Sequence, residues 1–142
     1  MSTDRAAAPT RSTLDDDAVV VDVPARPRSL RLLRLAAADA AADLDMDIDG
    51  VEAARIAVDE LGALLLGSGS WQRLVVRIEV TPGQLTVRGS TTGAAAPSSV
   101  QVDRIVRELL DTCVDEWQVD DGGEGPTFRF SMAAPGPAGA TP

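Results

Sequence analysis

The chain has 142 residues and a formal net charge of −9, with 44% hydrophobic and 25% charged residues. These values are typical of one globular domain with its own core. The acidic balance argues against nucleic acid as a partner, because that binding depends on neutralising phosphates. Histidine is absent and Cys113 is the only cysteine, which excludes Ser-His-Asp and Cys-His catalysis, histidine-containing metal sites and an internal disulfide.

The same composition predicts where the protein works and which parts of it fold. We find no charged-then-apolar leader and no apolar run of the roughly 18 residues that a membrane span needs. A lone cysteine suits a reducing compartment, so we expect a cytoplasmic protein with no membrane partner. Residues 1–17 and the Pro-, Gly- and Ala-rich residues 133–142 are predicted to be disordered tails around a single domain at 18–132.

The first half of this domain predicts one strand and two helices. The β-branched run at residues 18–23 is typical of a strand. Pro27 favours the start of a helix, whose buried stripe has helical spacing: Leu30, Leu33, Ala37, Ala41 and Leu44. Asp49 and Glu52 fit a capping box that starts a second helix, which ends at residues 67–70.

The second half predicts a hairpin, a third helix and two short strands. Apolar residues alternate with more polar ones in the first hairpin strand, at Leu74, Val76, Ile78 and Val80. Pro82 and Gly83 then turn the chain into its partner strand. Ser98 and Gln101 fit a second capping box, ahead of an apolar helix face formed by Val102, Ile105, Val106, Leu109, Cys113 and Val114. The last strands are predicted at residues 116–119 and 127–132.

The order β-α-α-β-β-α-β-β predicts an α+β fold. We expect a two-layer sandwich in which three helices cover one face of a mixed β-sheet. Leu61 and Leu65 are predicted to be core residues, and Cys113 a small residue on the buried side of its helix. Trp71 and Trp117 flank strand ends and are predicted to lie at the rim of the core.

The acidic stretch from Asp45 to Gly50 resembles the first half of a calcium loop, with oxygen-bearing side chains at alternate positions. A calcium loop has a bidentate glutamate at its twelfth position, and that position is Ile56 here. We therefore interpret the stretch as a solvated connection between two helices. No metal site is predicted from it.

Glu60 is the most unusual residue of the second helix, because that helix is apolar almost all round. Ile56 and Ala57 lie one turn before Glu60 and Leu64 lies one turn after it. A partly buried carboxylate is costly unless it is paired, and such groups are typical of functional sites. Glu60 is therefore a candidate functional residue, with a solvated position at the edge of the apolar stripe as the alternative.

Three motifs, in this order, resemble a known family. Ser29, Leu30 and Arg34 look like the start of that family's first helix. Residues 57–61 look like its N-box, and residues 125–130 look like its closing strand. Over residues 19–132 the chain thus resembles the anti-sigma factor and serine kinase family, which has the Bergerat-type, histidine-kinase-like ATPase fold. The resemblance implies that fold, with Glu60 at the position of the general base.

The chain departs from this family at the positions that handle nucleotide. Leu64 stands at the position of the magnesium-binding asparagine, and Gly89 at that of the adenine-binding aspartate. Gly93 is the cofactor-binding glycine that remains of the latter motif, and the lid after it is short. Residues 99–102 replace the glycine-rich box whose N–H groups hold phosphates at a helix N-terminus. Because phosphoryl transfer needs positioned phosphates and magnesium, nucleotide turnover is predicted to be lost.

Two functions remain open from the sequence. The first is a regulatory protein-binding domain of the anti-sigma type, without a cofactor, that binds a sigma factor or the antagonist protein that competes for one. The second is an ATP-dependent protein serine kinase with an atypical site, which would need ATP and magnesium.

The candidate partner-binding residues are Arg31 and Arg34, near the start of the first helix. Cations are unfavourable at the positive end of a helix dipole, so their presence there suggests a use. The family also uses an arginine of this helix on its partner surface. A merely solvated face is the alternative. A homodimer is left open, because relatives in this family often dimerise.

Overall fold

The structure is a computed structural model that describes residues 17–93, 99–122 and 124–135. In chain order it contains strand β1 (Val19–Pro24), a short 3₁₀ turn (Pro27–Ser29), helices α1 (Leu30–Asp43) and α2 (Ile48–Gly67), strands β2 (Arg73–Thr81) and β3 (Gln84–Thr92), helix α3 (Arg104–Cys113), and strands β4 (Glu116–Asp120) and β5 (Thr127–Ala133). The predicted order of strands and helices is confirmed. Of the two predicted tails, residues 1–16 and 136–142 lie outside the described residues.

The strands form one five-stranded sheet in the order β1-β2-β3-β5-β4, and every neighbouring pair is antiparallel. The prediction of a mixed sheet is wrong. After α3 the chain runs through β4 in the same direction as β3, which would give a parallel pair if the two were neighbours. The β4–β5 hairpin places β5 between them instead, so that each contact in the sheet is antiparallel.

The helices form a second layer on one face of this sheet. Helix α1 contacts β2 and β3, α2 contacts β3 and β5, and α3 contacts α2 and β4. Leu61 and Leu65 of α2 are fully buried, as predicted. The sheet meets them with alternate apolar side chains: Leu74, Val76, Ile78, Leu85, Val87, Phe128, Phe130 and Met132. The fold is therefore a two-layer α+β arrangement whose core lies between the helices and the sheet.

Two glycines let this core close. A Cβ atom added at Gly62 of α2 would lie 2.7 Å from Leu30 Cδ2 of α1. At Gly89 of β3 an added Cβ would overlap the ring of Phe128, its partner on β5. A side chain at Gly89 would thus collide with an aromatic ring, whereas a side chain at Gly62 would require the Leu30 side chain to shift.

The start of α2 differs from the predicted capping box. Asp47 caps the helix, because its carboxylate accepts a hydrogen bond of 2.8 Å from the backbone N–H of Gly50. Glu52 does not reach back to the cap but receives a hydrogen bond of 3.0 Å from Arg55. The helix consequently begins at Ile48, one residue before the predicted cap.

The start of α3 also differs from the prediction. Its cap is Asp103, whose carboxylate accepts a hydrogen bond of 2.9 Å from the N–H of Val106. Ser98, the predicted cap, lies outside the described residues. Ile105 is 77% exposed, so its assignment to the buried helix face is wrong. Leu110 is fully buried, while Cys113 is half-buried.

Strand β1 forms one edge of the sheet and pairs with β2 alone. Its first residues, Val19 and Val20, are 54% and 53% exposed, whereas Val23 is buried. In the part of the chain that the structure describes, no helix combines the length and the apolar character needed to cross a membrane.

Candidate functional site

Glu60 lies beyond the middle of α2, half-buried, between the fully buried Ala57 and Leu61. Burial raises the pKa of the Cys113 thiol, and the negative charge of Glu60 raises that pKa further. A thiol with a raised pKa stays protonated at neutral pH and is a poor nucleophile. Within the described residues Glu60 forms no hydrogen bond or ion pair.

The family resemblance implies a metal ligand one turn after Glu60, but the side chain at that position is apolar. Leu64, one turn further along α2, is partly buried and packs against the core. Asp59 lies beside Glu60 in sequence, but its carboxylate is held by Arg34 at 2.6 Å. Among the described residues, no group of three or more His, Cys, Asp or Glu residues could hold a metal ion. The described residues thus surround Glu60 with apolar neighbours and with a carboxylate, Asp59, that is already paired with Arg34.

Gly93 has a backbone role at the end of β3. Its φ is +121°, and an added Cβ would lie 2.8 Å from the backbone nitrogen of Gln72. That nitrogen donates a hydrogen bond of 2.9 Å to the carbonyl of Thr92. A side chain would therefore meet both an unfavourable φ and a neighbouring strand start. Most of the predicted lid, residues 94–98, lies outside the described residues.

The N-terminus of α3 is the place where the family would hold phosphates with free N–H groups. In this chain the carboxylate of Asp103 already occupies the N–H of Val106. The loop before it is fixed as well, because the N–H of Val100 lies 3.1 and 3.2 Å from the two carboxylate oxygens of Asp121. A carboxylate at this position satisfies the helix dipole and repels a phosphate.

The outer side of α1 combines arginines with exposed leucines. Leu32 is 52% exposed and Leu35 is 62% exposed. Arg28 and Arg31 are also exposed. Leu35 lies four positions after Arg31 and three after Leu32, which places these three residues along one side of α1. Arg28 lies in the 3₁₀ turn that leads into the helix. We call Arg28, Arg31, Leu32 and Leu35 the α1 patch.

Arg34 does not belong to this patch. Its Nη1 lies 2.6 Å from Oδ1 of Asp59, with both side chains 34% exposed, so the pair links α1 to α2. Arg31 forms no hydrogen bond or ion pair with any described residue. The two arginines that the sequence grouped as partner-binding residues therefore differ in the structure: one holds two helices together and the other is solvated.

The two leucines of the α1 patch were not predicted as functional residues, although the sequence contains the signal. Leu32 and Leu35 fall outside the stripe of Leu30, Leu33 and Ala37, and helical spacing therefore places them on the opposite side. The Arg34–Asp59 pair carries no such signal, because it depends on how two helices cross.

Comparison of the chain with models of protein families and with curated proteins gives no match. The family resemblance of the motifs therefore stays a prediction. A functional assignment rests on the residues described above.

Proposed function

We propose that this chain is a regulatory protein-binding domain of the anti-sigma type, which binds its partner through the α1 patch and does not turn over nucleotide. The patch is the observation that carries the proposal, because Leu32 and Leu35 are both more than half exposed beside two solvated arginines. Exposed apolar residues rimmed by charge are typical of protein interaction sites. The complementary surface is an apolar groove flanked by acidic residues.

The class of partner comes from the resemblance of the motifs. It implies a sigma factor, or the antagonist protein that competes for one, in the cytoplasm. The finer fold that we infer is a degenerate histidine-kinase-like ATPase fold, which agrees with the two-layer arrangement and with the order of its elements.

The loss of nucleotide turnover is supported by two features of the former site. Leu64 offers no oxygen for magnesium beside Glu60, and the carboxylate of Asp103 occupies the start of α3. Phosphoryl transfer depends on magnesium and on groups that neutralise the phosphates. Glu60 is therefore a carboxylate without the magnesium ligand and the phosphate-binding N–H groups that would position ATP beside it.

The binding surface is tested with a partner captured from the native host and identified by mass spectrometry. We expect a sigma factor or its antagonist, and we expect Arg31→Glu or Leu35→Ser to weaken the purified complex by about tenfold or more, roughly 1.4 kcal/mol. Matched controls are Arg55→Glu on α2 and Ile105→Ser on α3, both at exposed positions. Equal affinity of the patch and control variants would show that the patch is only a solvated face. A partner of another class would exclude the anti-sigma assignment.

The nucleotide site is tested by calorimetric titration with Mg-ATP. We expect no heat of binding at high micromolar protein. A dissociation constant below about 100 µM, near −5.5 kcal/mol, would contradict this expectation. ATP hydrolysis would contradict the loss of nucleotide turnover. Phosphorylation of a protein serine that Glu60→Gln abolishes would establish the serine kinase, with ATP and magnesium as its cofactors.

A further inference from the structure

Three arginines stand side by side on the face of the sheet opposite the helices. Arg77 of β2 pairs with Arg88 of β3, and Arg88 pairs with Arg129 of β5. Side chains at directly paired positions point to the same face, with Cβ atoms about 4.5–5.5 Å apart. Like charges in such pairs destabilise a sheet. We call these residues the arginine row. Nearby anions are needed to offset the repulsion among its three positive charges.

Two carboxylates in the next row of the sheet supply part of that compensation. Glu79 accepts hydrogen bonds of 3.1 Å from Arg77 and 2.6 Å from Arg88. Burial disfavours the ionised form of Glu79, but these hydrogen bonds outweigh it and hold the pKa of the carboxyl below its ordinary value. Glu116 lies 3.8 Å from Nη1 of Arg129, beyond hydrogen-bonding distance. The guanidinium groups of Arg77 and Arg88 thus both donate to one carboxylate, that of Glu79.

The surface beside the arginine row is concave. A depression of about 530 Å³ is lined by the row, by the short side chains of Ser90 and Thr127, and by Val20 and Val75 at one end. This volume lies within the roughly 300–1,000 Å³ of small-ligand sites. The hydroxyls of Ser90 and Thr127 form no hydrogen bond among the described residues, so both can donate to a ligand.

The charges around the depression limit the size of the ligand. Asp22 of β1 and Asp120 of β4 stand at the two ends of the row that contains Ser90 and Thr127. Asp22 is paired with Arg73 at 2.8 Å, so Asp120 is the carboxylate that would repel a long polyanion, such as a nucleic acid strand, where it leaves the depression at the β4 end. A compact anion would lie away from Asp120, close to the arginines. Guanidinium groups bind the oxygens of carboxylate and phosphate in a bidentate manner.

We propose that this depression binds a compact small-molecule oxyanion that carries phosphate or several carboxylate groups. Arg88 and Arg129 donate to its charged oxygens, and Ser90 and Thr127 donate to the others. Glu79 competes with the ligand for the guanidinium of Arg88. The site lies on the face of the sheet that is remote from α1, so it is independent of the proposed protein partner.

Calorimetric titration of the full chain with inorganic pyrophosphate, and separately with citrate, tests the proposal in a buffer of low chloride. We expect saturable binding of at least one probe. Arg88→Gln removes a charge-assisted contact and is expected to weaken binding by about tenfold or more. The matched control is Arg104→Gln on α3, an exposed arginine that is likewise paired with a glutamate. It should bind like the wild type, and thermal melts check that both variants fold.

Glu79→Gln provides the sharper test, because it removes the competing carboxylate and keeps the shape of the side chain. This variant is expected to bind the probe more tightly than the wild type. Weaker binding would overturn the proposal, since Glu79 would then order the arginines and not compete with a ligand. The proposal also fails if neither pyrophosphate nor citrate gives saturable binding, and binding of an acidic peptide alone would not rescue it. Equal affinities of Arg88→Gln and Arg104→Gln for the probe would contradict it as well.

Discussion

The two faces of the sheet place different demands on the same five strands. On the helix side, Leu74, Val87 and Phe130 are fully buried and belong to the core that the helices cover. On the other side, arginines stand in a row and depend on carboxylates for their partners. Apolar burial tolerates little change of volume, whereas the charged face tolerates substitution but responds to pH and to anions. We therefore expect the helix-covered face to supply most of the stability and the face with the arginine row to bind a ligand.

Leu61→Ala should give the largest effect, because Leu61 is fully buried under the helix layer. Loss of apolar contact and the resulting cavity are expected to lower the free energy of unfolding by about 2–5 kcal/mol. Urea denaturation measures the change. Leu35→Ala, at a position that is 62% exposed, serves as the control and should change it by less than about 0.5 kcal/mol. Similar values for the two variants would contradict the assignment of helix faces.

Gly89→Ala tests the close approach of Phe128 on the covered face. The new methyl group overlaps the aromatic ring, so a destabilisation of about 1–3 kcal/mol is expected. In the background of Phe128→Leu the same substitution should cost less, because the ring is gone. Gly67→Ala, where an added Cβ meets nothing within 4 Å, should be tolerated. Equal costs of Gly89→Ala in both backgrounds would show that the ring is not the cause.

The Arg34–Asp59 pair should contribute a smaller amount, because both side chains are about one-third exposed. A double-mutant cycle with alanine at both positions is expected to give a coupling of about 0.2–1 kcal/mol. The more exposed pair Arg104–Glu108 is the reference, and its coupling should be the smaller of the two. A coupling at Arg34 no larger than the reference would mean that solvent, and not Asp59, is its main partner.

Glu79 should make the stability of the charged face depend on pH. Its folded pKa lies below the ordinary value of 4.5, so the ionised form is favoured by folding. The resulting stabilisation is fully present above that ordinary value and is lost as the pH falls through the folded pKa. Denaturation midpoints measured from about pH 6 to pH 3 should therefore fall more steeply for the wild type than for Glu79→Gln. Parallel curves would argue against this contribution.

The element order could be predicted from the sequence because it depends on local periodicity. The stripe through Leu33 and Ala37, and the alternation from Leu74 to Val80, identify a helix and a strand without any knowledge of their neighbours. The antiparallel insertion of β5 was not predicted, since strand pairing is a long-range property. The true caps, Asp47 and Asp103, were missed because each adjoins another plausible capping pattern.

The candidate sites show the same difference between local features, which the sequence predicts, and long-range contacts, which it does not. Glu60 was recognised from its apolar neighbours in the sequence, but the effect of its charge on the pKa of Cys113 depends on how α3 packs against α2. The arginine row could not be read from the sequence either. Arg77, Arg88 and Arg129 each look like an ordinary polar residue of an alternating strand, and only the register of the sheet brings them together.

Strand β1 leaves one edge of the sheet without a strand partner in the described residues, and it begins with two exposed valines. Such an edge can serve as a template for strands of a second molecule and so promote aggregation. Two acidic residues flank the exposed valines, with Asp17 before them and Asp22 after them. Two copies that approach edge to edge would bring these carboxylates together, and the repulsion would keep them apart at neutral pH. The negative charge of the chain thus also acts as a gatekeeper of its solubility, and this protection weakens in acid.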